Sequence, residues 1–439
     1  MKRNYFTLMA IVVIVIAVIS AGSLYAAGNI KTAKIGFVGD MSGPLNMYSW
    51  PLIHSHQWAI EYINNVLYPD GVPIGNDRYH FELIMEDDGG KIEESPVAAQ
   101  RALDKGILAM LTVLGTFYAP VFPKMAEMKV PMITASPFMT EKIGGFNYRY
   151  RNTAPQVMPA TASYVVKKFS VKKPSVYSDA GAMGAAGGQI WVDSLVKAGI
   201  PRDKIDWQRF IWPLPESKFL SYVTKSINWG ADVIVHGATG NGGGTPDACD
   251  IFLRAKELGF KGYFCEYTGM TDVQARTILG PKYASYITNV YQGEGVDAYT
   301  NPDPKIRQWG RDYFAKYNEY PIDLVPWGWD EIMVLVPAAY AAGTVTDGAK
   351  FNQTLAELPF DFLLKSQLKT PMSPQRGNKL WDNNQALMEV MVAGWTEEGI
   401  KVPAAFMVVD EKTMDIKKTT YPTKELINYI IQEYHERKK

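Results

Sequence analysis

KIGFVGDMSGPLNMYSW, residues 34–50, is the stretch whose reading decides the fold. Lys34 to Gly39 is a short apolar run with β-branched and aromatic members, the composition of a strand buried on both faces of a parallel sheet. Asp40 to Asn46 then gathers Asp, Ser, Gly, Pro and Asn, residues that turn a chain rather than extend a strand. An amphipathic run from Ile53 to Val66 follows, so the stretch reads as strand, polar loop and helix, half of a βαβ unit. In open α/β sheets ligands sit in the crevice at the carboxyl ends of such strands. The loop also carries Tyr48 and Trp50, which makes it a candidate wall of a small-molecule site. Of the two rings, Trp50 is expected to be the one that meets ligand.

The same grammar runs on down the chain. Strand patterns at Phe81–Glu86, Ala109–Leu114, Pro131–Thr134 and Tyr148–Arg151 alternate with helical patterns at Ser95–Lys105 and Ala119–Met128. After a break at Asn152 to Pro155 the alternation resumes, through strands Ser175–Ser178, Ile205–Phe210, Val233–His236 and Tyr263–Cys265 and the helices between them. Regular alternation predicts an α/β fold with helices on both faces of parallel sheets, and the number of strands predicts two doubly wound lobes. Past Tyr286 come a strand at Ile287–Gln292 and helices at Pro304–Tyr317 and Trp327–Ala342, followed by a strand-poor, turn-rich stretch from Leu355 to Trp395.

A length of 439 residues suits two or three domains of roughly 150 residues each. A hydrophobic content of 47% with 21% charged residues is enough for sizeable cores. Lysine plus arginine equals aspartate plus glutamate at 45 each, so nothing in the balance points to nucleic acid. The first 27 residues stand apart. Lys2 and Arg3 precede an uncharged apolar run from Tyr5 to Ile19 and a small-residue segment ending at Ala26 and Ala27, the pattern of a secretory signal cleaved after one of those alanines. An uncleaved membrane anchor is the competing reading. Cys249 and Cys265 are the only cysteines; an exported address permits a bridge between them, and sequence leaves open whether it forms.

Several chemistries are excluded by spacing. The glycines after Ser178 lack the G-x-G-x-x-G pattern, the run Gly240 to Gly244 has no lysine behind it, and Glu86, Asp87 and Asp88 lack the periodic spacing of a calcium loop. No Ser/His/Asp or Cys/His set sits in a recognisable motif. No cofactor, metal or catalytic residue is therefore expected, and the chain reads as a binder rather than an enzyme.

The order KIGFVGDMSGP, LIMEDDGG, RALDKG, LTVLGTFYAP and VPMITASP, with RGNKLWDNNQALMEVMVAGW later, resembles the type I periplasmic solute-binding proteins of ABC importers, in particular the branched-chain amino-acid group. The resemblance covers nearly all of the mature chain and rests on order more than on one motif. It implies lobes joined by three crossings, with residues 31–151 and 287–342 in the first lobe and 152–286 and 343–439 in the second. It also implies capture by lobe closure in the periplasm, as a monomer, with delivery to membrane permease and ATPase subunits.

The site residues follow loop by loop from the resemblance. Thr116 is the hydroxyl that, with backbone N–H groups of its loop, would meet a ligand carboxylate at a helix start, and Phe117 and Tyr118 join Trp50 and Phe138 in an aromatic wall. Ser136 and Phe138 match the next family positions, although Phe138 offers no hydrogen bond. In the second lobe Met183 stands where the family often has an aromatic residue, and Thr239 and Asn241 lie on a glycine-rich loop. Thr268 aligns with the family's amine-binding acid, with Glu266 two residues earlier; if Glu266 misses the cleft, a neutral amide or plain carboxylate is favoured over an amino acid. Trp327 is the aromatic contact from the last helix, while Trp329 is expected in the core. The ligand implied is a branched-chain or aromatic amino acid, with aromatic acids next; a sensory ligand-binding domain is the reading from another class.

Overall fold

The computed structural model describes residues 29–43, 46–113, 118–136, 143–211, 216–237, 244–267, 271–358, 380–386 and 388–437. The leader and several of the expected site positions lie outside these residues.

β1 (Lys31–Gly39) is the hub of the first sheet, with Ile35, Phe37 and Val38 fully buried. It pairs in parallel with β3 (Asp77–Asp87) on one side and β4 (Ala109–Thr112) on the other. β5 (Met132–Thr134) and β6 (Asn147–Arg149) extend the parallel run. β2 (Val72–Ile74) closes the opposite edge by antiparallel pairing with β3. Because β1 has a later strand on either side, the chain reverses its winding there, which is where open α/β sheets take ligands.

A second sheet repeats the plan. β7 (Pro174–Asp179) lies between β8 (Asp206–Phe210) and β9 (Val233–His236), followed by β10 (Tyr263–Tyr267) and β11 (Val290–Glu294), all parallel. Beyond β11 the sheet turns antiparallel through β14 (Val390–Trp395), β15 (Lys401–Val409) and β16 (Ile416–Thr420).

Two of the expected boundaries are corrected by the sheets. Val290–Glu294 pairs with β10 and belongs to the second sheet, so the second crossing follows Glu294 instead of preceding Ile287, which ends a short helix. The chain also stays in the first lobe well past residue 342. The helix Gly348–Glu357 buries Phe351 and Leu355 in the first core, and the hairpin β12 (Trp381–Asp382) and β13 (Gln385–Ala386) joins the first sheet through β6. The third crossing is therefore the link from Ala386 to Val390. A run of apolar residues states that it will be a strand; it does not state which of two similar sheets will accept it.

The first core is dominated by the helix Leu324–Ala342, buried almost all round against the helix Asn46–Tyr62, as a helix hydrophobic on every side should be. Trp58, Trp309 and Trp329 meet there, with ring centroids 5.3–5.5 Å apart. Beside them, His56 Nε2 lies 2.7 Å from Glu331 Oε2, both side chains buried. Burial lowers the His56 pKa to about 3, while burial and the neighbouring Asp330 raise that of Glu331 well above the usual range. Both shifts favour the neutral form of the pair, in which the Glu331 carboxyl is the donor to the ring. Glu331→Gln keeps a neutral donor and is expected to change stability by less than about 1 kcal/mol, whereas Glu331→Ala should cost about 2–4 kcal/mol. Denaturant unfolding of the two variants separates these outcomes.

Cys249 and Cys265 are free, buried thiols. The carboxyl-terminal helix Lys424–Arg437 runs from the second sheet's edge back to the first lobe, where Glu433 pairs with Arg311 and Arg307 stacks on Tyr429.

Candidate functional site

The opening loop is braced from within its own lobe. Asp40 accepts the Gly43 amide at 2.5 Å, and Asp87 accepts the amides of Met41 and Gly89, each at 2.9 Å. A Cβ on Gly43 would stand 2.4 Å from the Gly89 carbonyl, so only glycine lets the two strand-end loops meet. The acids at the end of β3 are likewise engaged. Glu86 binds Arg101 and Lys105, which hold its carboxyl below the usual range against the effect of burial. Asp88 takes the hydroxyls of Ser95 and Tyr118, the latter at 2.5 Å.

These contacts redistribute the expected site residues. Tyr118 is buried with its hydroxyl on Asp88, so its side chain serves the lobe and not the crevice. Trp50 donates its indole N–H to the Met41 carbonyl at 3.2 Å and lies against the ring of His54, again within the first lobe. Trp50→Ala is therefore expected to lower stability by about 2 kcal/mol through lost burial and one hydrogen bond, with ligand affinity changed less than a few-fold. A melt and a titration on the same sample check this; lost affinity with unchanged stability would return Trp50 to the ligand wall.

Tyr48 packs against the first lobe's core. Burial raises its phenol pKa, Arg151 opposes the rise, and Glu266 and Asp323 add to it. It thus stands within electrostatic reach of both lobes. Ser136 is buried, its amide donating to Thr134 Oγ1 at 3.1 Å, and the preceding Ala135 carbonyl accepts Arg151 at 2.9 Å. Glu266 is buried at the end of β10 and holds His236 Nδ1 at 2.9 Å. That imidazole is pulled two ways: burial lowers its pKa, and Glu266, with Asp247 and Asp179, more than reverses this. Thr116, Phe117, Phe138, Thr239, Asn241 and Thr268 lie outside the described residues, as does the side chain of Met183 on the helix Ala182–Lys197.

Where the crossings meet, a small cavity of about 10 Å³ is walled by Arg151, Asn152, Tyr267, Glu294, Asp323 and Trp327, among others. That is room for about one water. Arg151 sits at the first crossing with its guanidinium 5.2 Å above the Trp327 ring. A Cβ on Gly293 would come within 2.6 Å of Val157 on the helix Ala154–Phe169, so glycine here lets that helix pack closely on β11 within the second lobe. Behind the cavity, Lys401 Nζ lies 2.6 Å from both Glu294 and Asp297, all three buried. Sequence reading did not single out Arg151, Asp323 or Lys401. Arg151 adjoins the first crossing in sequence, and Asp323 and Lys401 stand inside apolar runs.

Two doubly wound sheets, three crossings and a cavity where the crossings meet are the geometry of a two-lobed binder. A family model described as periplasmic binding protein matches residues 32–399. The chain belongs to the periplasmic binding protein family. Solved periplasmic binding proteins share its fold. A leucine-binding protein from Thermotoga maritima is 19% identical, with a TM-score of 0.66, over 89% of this chain and 99% of its own. A substrate-binding protein from Streptococcus pneumoniae in complex with isoleucine is 17% identical, with a TM-score of 0.63 over 89% and 99%. A solute-binding protein from Rhodopseudomonas palustris in complex with 3,4-dihydroxybenzoic acid is 13% identical, with a TM-score of 0.66 over 86% and 97%. No curated protein matches the chain. Among the described residues no helix is long and apolar enough to cross a membrane, and no group of three His, Cys, Asp or Glu side chains is placed to hold a metal.

Proposed function

We propose that this periplasmic binding protein is the exported solute-binding subunit of an ABC importer, capturing a small carboxylate by lobe closure and presenting it to the membrane permease and its ATPase. The observation that carries the ligand class is Arg151. It is a buried guanidinium at the lobe junction that makes one hydrogen bond among the described residues and shares its cavity with Tyr267 and the Trp327 ring. A guanidinium with open N–H groups beside aromatic faces matches a carboxylate on an apolar body. Leucine, isoleucine and dihydroxybenzoate, named with the similar solved structures, all carry that group. Residues 1–27 are read as a cleaved secretory leader, and binding itself requires no bond to be made or broken.

A branched-chain or aromatic amino acid is the first candidate. An aromatic acid is the second, favoured by one observation: Glu266, the expected amine partner, is already engaged by His236. Calorimetric titration of the mature protein with leucine, phenylalanine, benzoate and 3-phenylpropanoate tests the reading. Binding in the micromolar range or tighter to any of them supports it, and heat from none of them sinks it. Amino-terminal sequencing of the secreted chain checks the leader.

A further inference from the structure

The cavity at the crossings holds more than a cation. Asp323, just ahead of the helix Leu324–Ala342, is 2% exposed, and its Oδ2 accepts the Gly295 amide at 3.2 Å. Its Oδ1 is buried with no hydrogen-bond partner among the described residues. On the same wall, the Trp327 indole N–H is buried and also lacks an acceptor. A buried carboxylate oxygen and a buried donor left without partners are costly, and such groups in a native fold call for an explanation. Burial pushes the Asp323 carboxyl up, with Asp297 adding to the effect, while Arg151 and Lys401 draw it down. Neither cation lies within ion-pair distance of Asp323 in the structure, so its charge is screened but its open oxygen is not met.

Resting on the carboxylate reading above, we propose that Asp323 is a specificity-determining residue: its open oxygen accepts an ammonium group on the ligand, while Arg151 and the Trp327 N–H take the carboxylate. The site then selects zwitterions over simple acids from a residue on the first lobe's side of the hinge, leaving Glu266 to its bond with His236. A ligand without the ammonium group leaves the buried oxygen unmet, which is how a site built for a polar group rejects an analogue lacking it.

The test compares leucine and phenylalanine with 4-methylpentanoate and 3-phenylpropanoate by calorimetry, on the wild-type protein and on Asp323→Asn. Asparagine keeps an acceptor for the Gly295 amide. The wild type should prefer each amino acid over its deaminated partner by about 100-fold or more, and the variant should narrow that preference to within about ten-fold, chiefly by weakening amino-acid binding. If the wild type binds the deaminated acids as well as the amino acids, or the variant retains the full preference, the assignment to Asp323 falls while the carboxylate reading stands. If the wild type binds none of the four, both fall. Should the variant fail to fold, Asp323→Ser, which keeps a hydrogen-bonding oxygen, is titrated in its place: a preference narrowed to within about ten-fold upholds the assignment, and an undiminished preference overturns it.

Discussion

Replacing Arg151 with glutamine should abolish ligand capture, weakening binding by about 100-fold or more, because a charge-assisted contact to a desolvated carboxylate is lost and the ligand's charge is left unanswered. The fold should survive. Arg151 makes its recorded hydrogen bond to the Ala135 carbonyl at the edge of the crevice, and both lobe cores lie elsewhere. Titration and thermal melting together decide the matter. A variant that melts like the wild type and binds nothing matches the proposal, and one that binds like the wild type moves the carboxylate site away from the hinge. Arg151→Lys should recover only part of the loss, since an ammonium cannot reproduce the planar fork of a guanidinium.

The largest loss of stability is expected at Lys401. Its ammonium is buried between Glu294 and Asp297, each 2.6 Å away. Lys401→Met leaves those carboxyls without a counter-charge, and removing one partner of a buried ion pair costs about 3–5 kcal/mol. The loss should depend on pH in a definite direction. Burial already raises the Glu294 pKa well above its usual 4.5, with Lys401 as the leading opposing influence. Without Lys401 the folded-state value rises further. A group whose folded value is raised stabilises the protein fully below its unfolded value and loses that contribution as pH climbs through the folded one. The variant should therefore recover stability on acidification from pH 8 towards pH 5, more steeply than the wild type. Melting temperatures across that range test it, and a variant insensitive to pH would mean that Glu294 is not the group left exposed.

Reading from sequence succeeded where local chemistry is sufficient. Ile35, Phe37 and Val38 announce a buried strand, and the Asp, Ser and Gly after them announce a turn, because those properties belong to the residues themselves. The allocation of Val290–Glu294 and of Trp381–Ala386 to sheets was misjudged, since that choice depends on partners far away in the chain. The site suffered from the same limit. Trp50 and Tyr48 are two residues apart with similar bulk, and only the neighbours show that the Trp50 indole is held by the Met41 carbonyl. Arg151, Asp323 and Lys401 look in sequence like any surface charges. Their meaning arises from burial at the crossings, which no spacing rule encodes.

The two cysteines bear on how lobe motion is best observed. Both thiols are buried and free, and burial raises the Cys249 pKa to about 12 and raises that of Cys265 too. Almost no thiolate forms at neutral pH, and the thiolate is the form that reacts with alkylating reagents. Native cysteines are thus silent towards maleimide dyes without being mutated. One cysteine introduced on the surface of each lobe gives a labelled pair whose fluorescence energy transfer follows closure directly, in a protein otherwise unaltered.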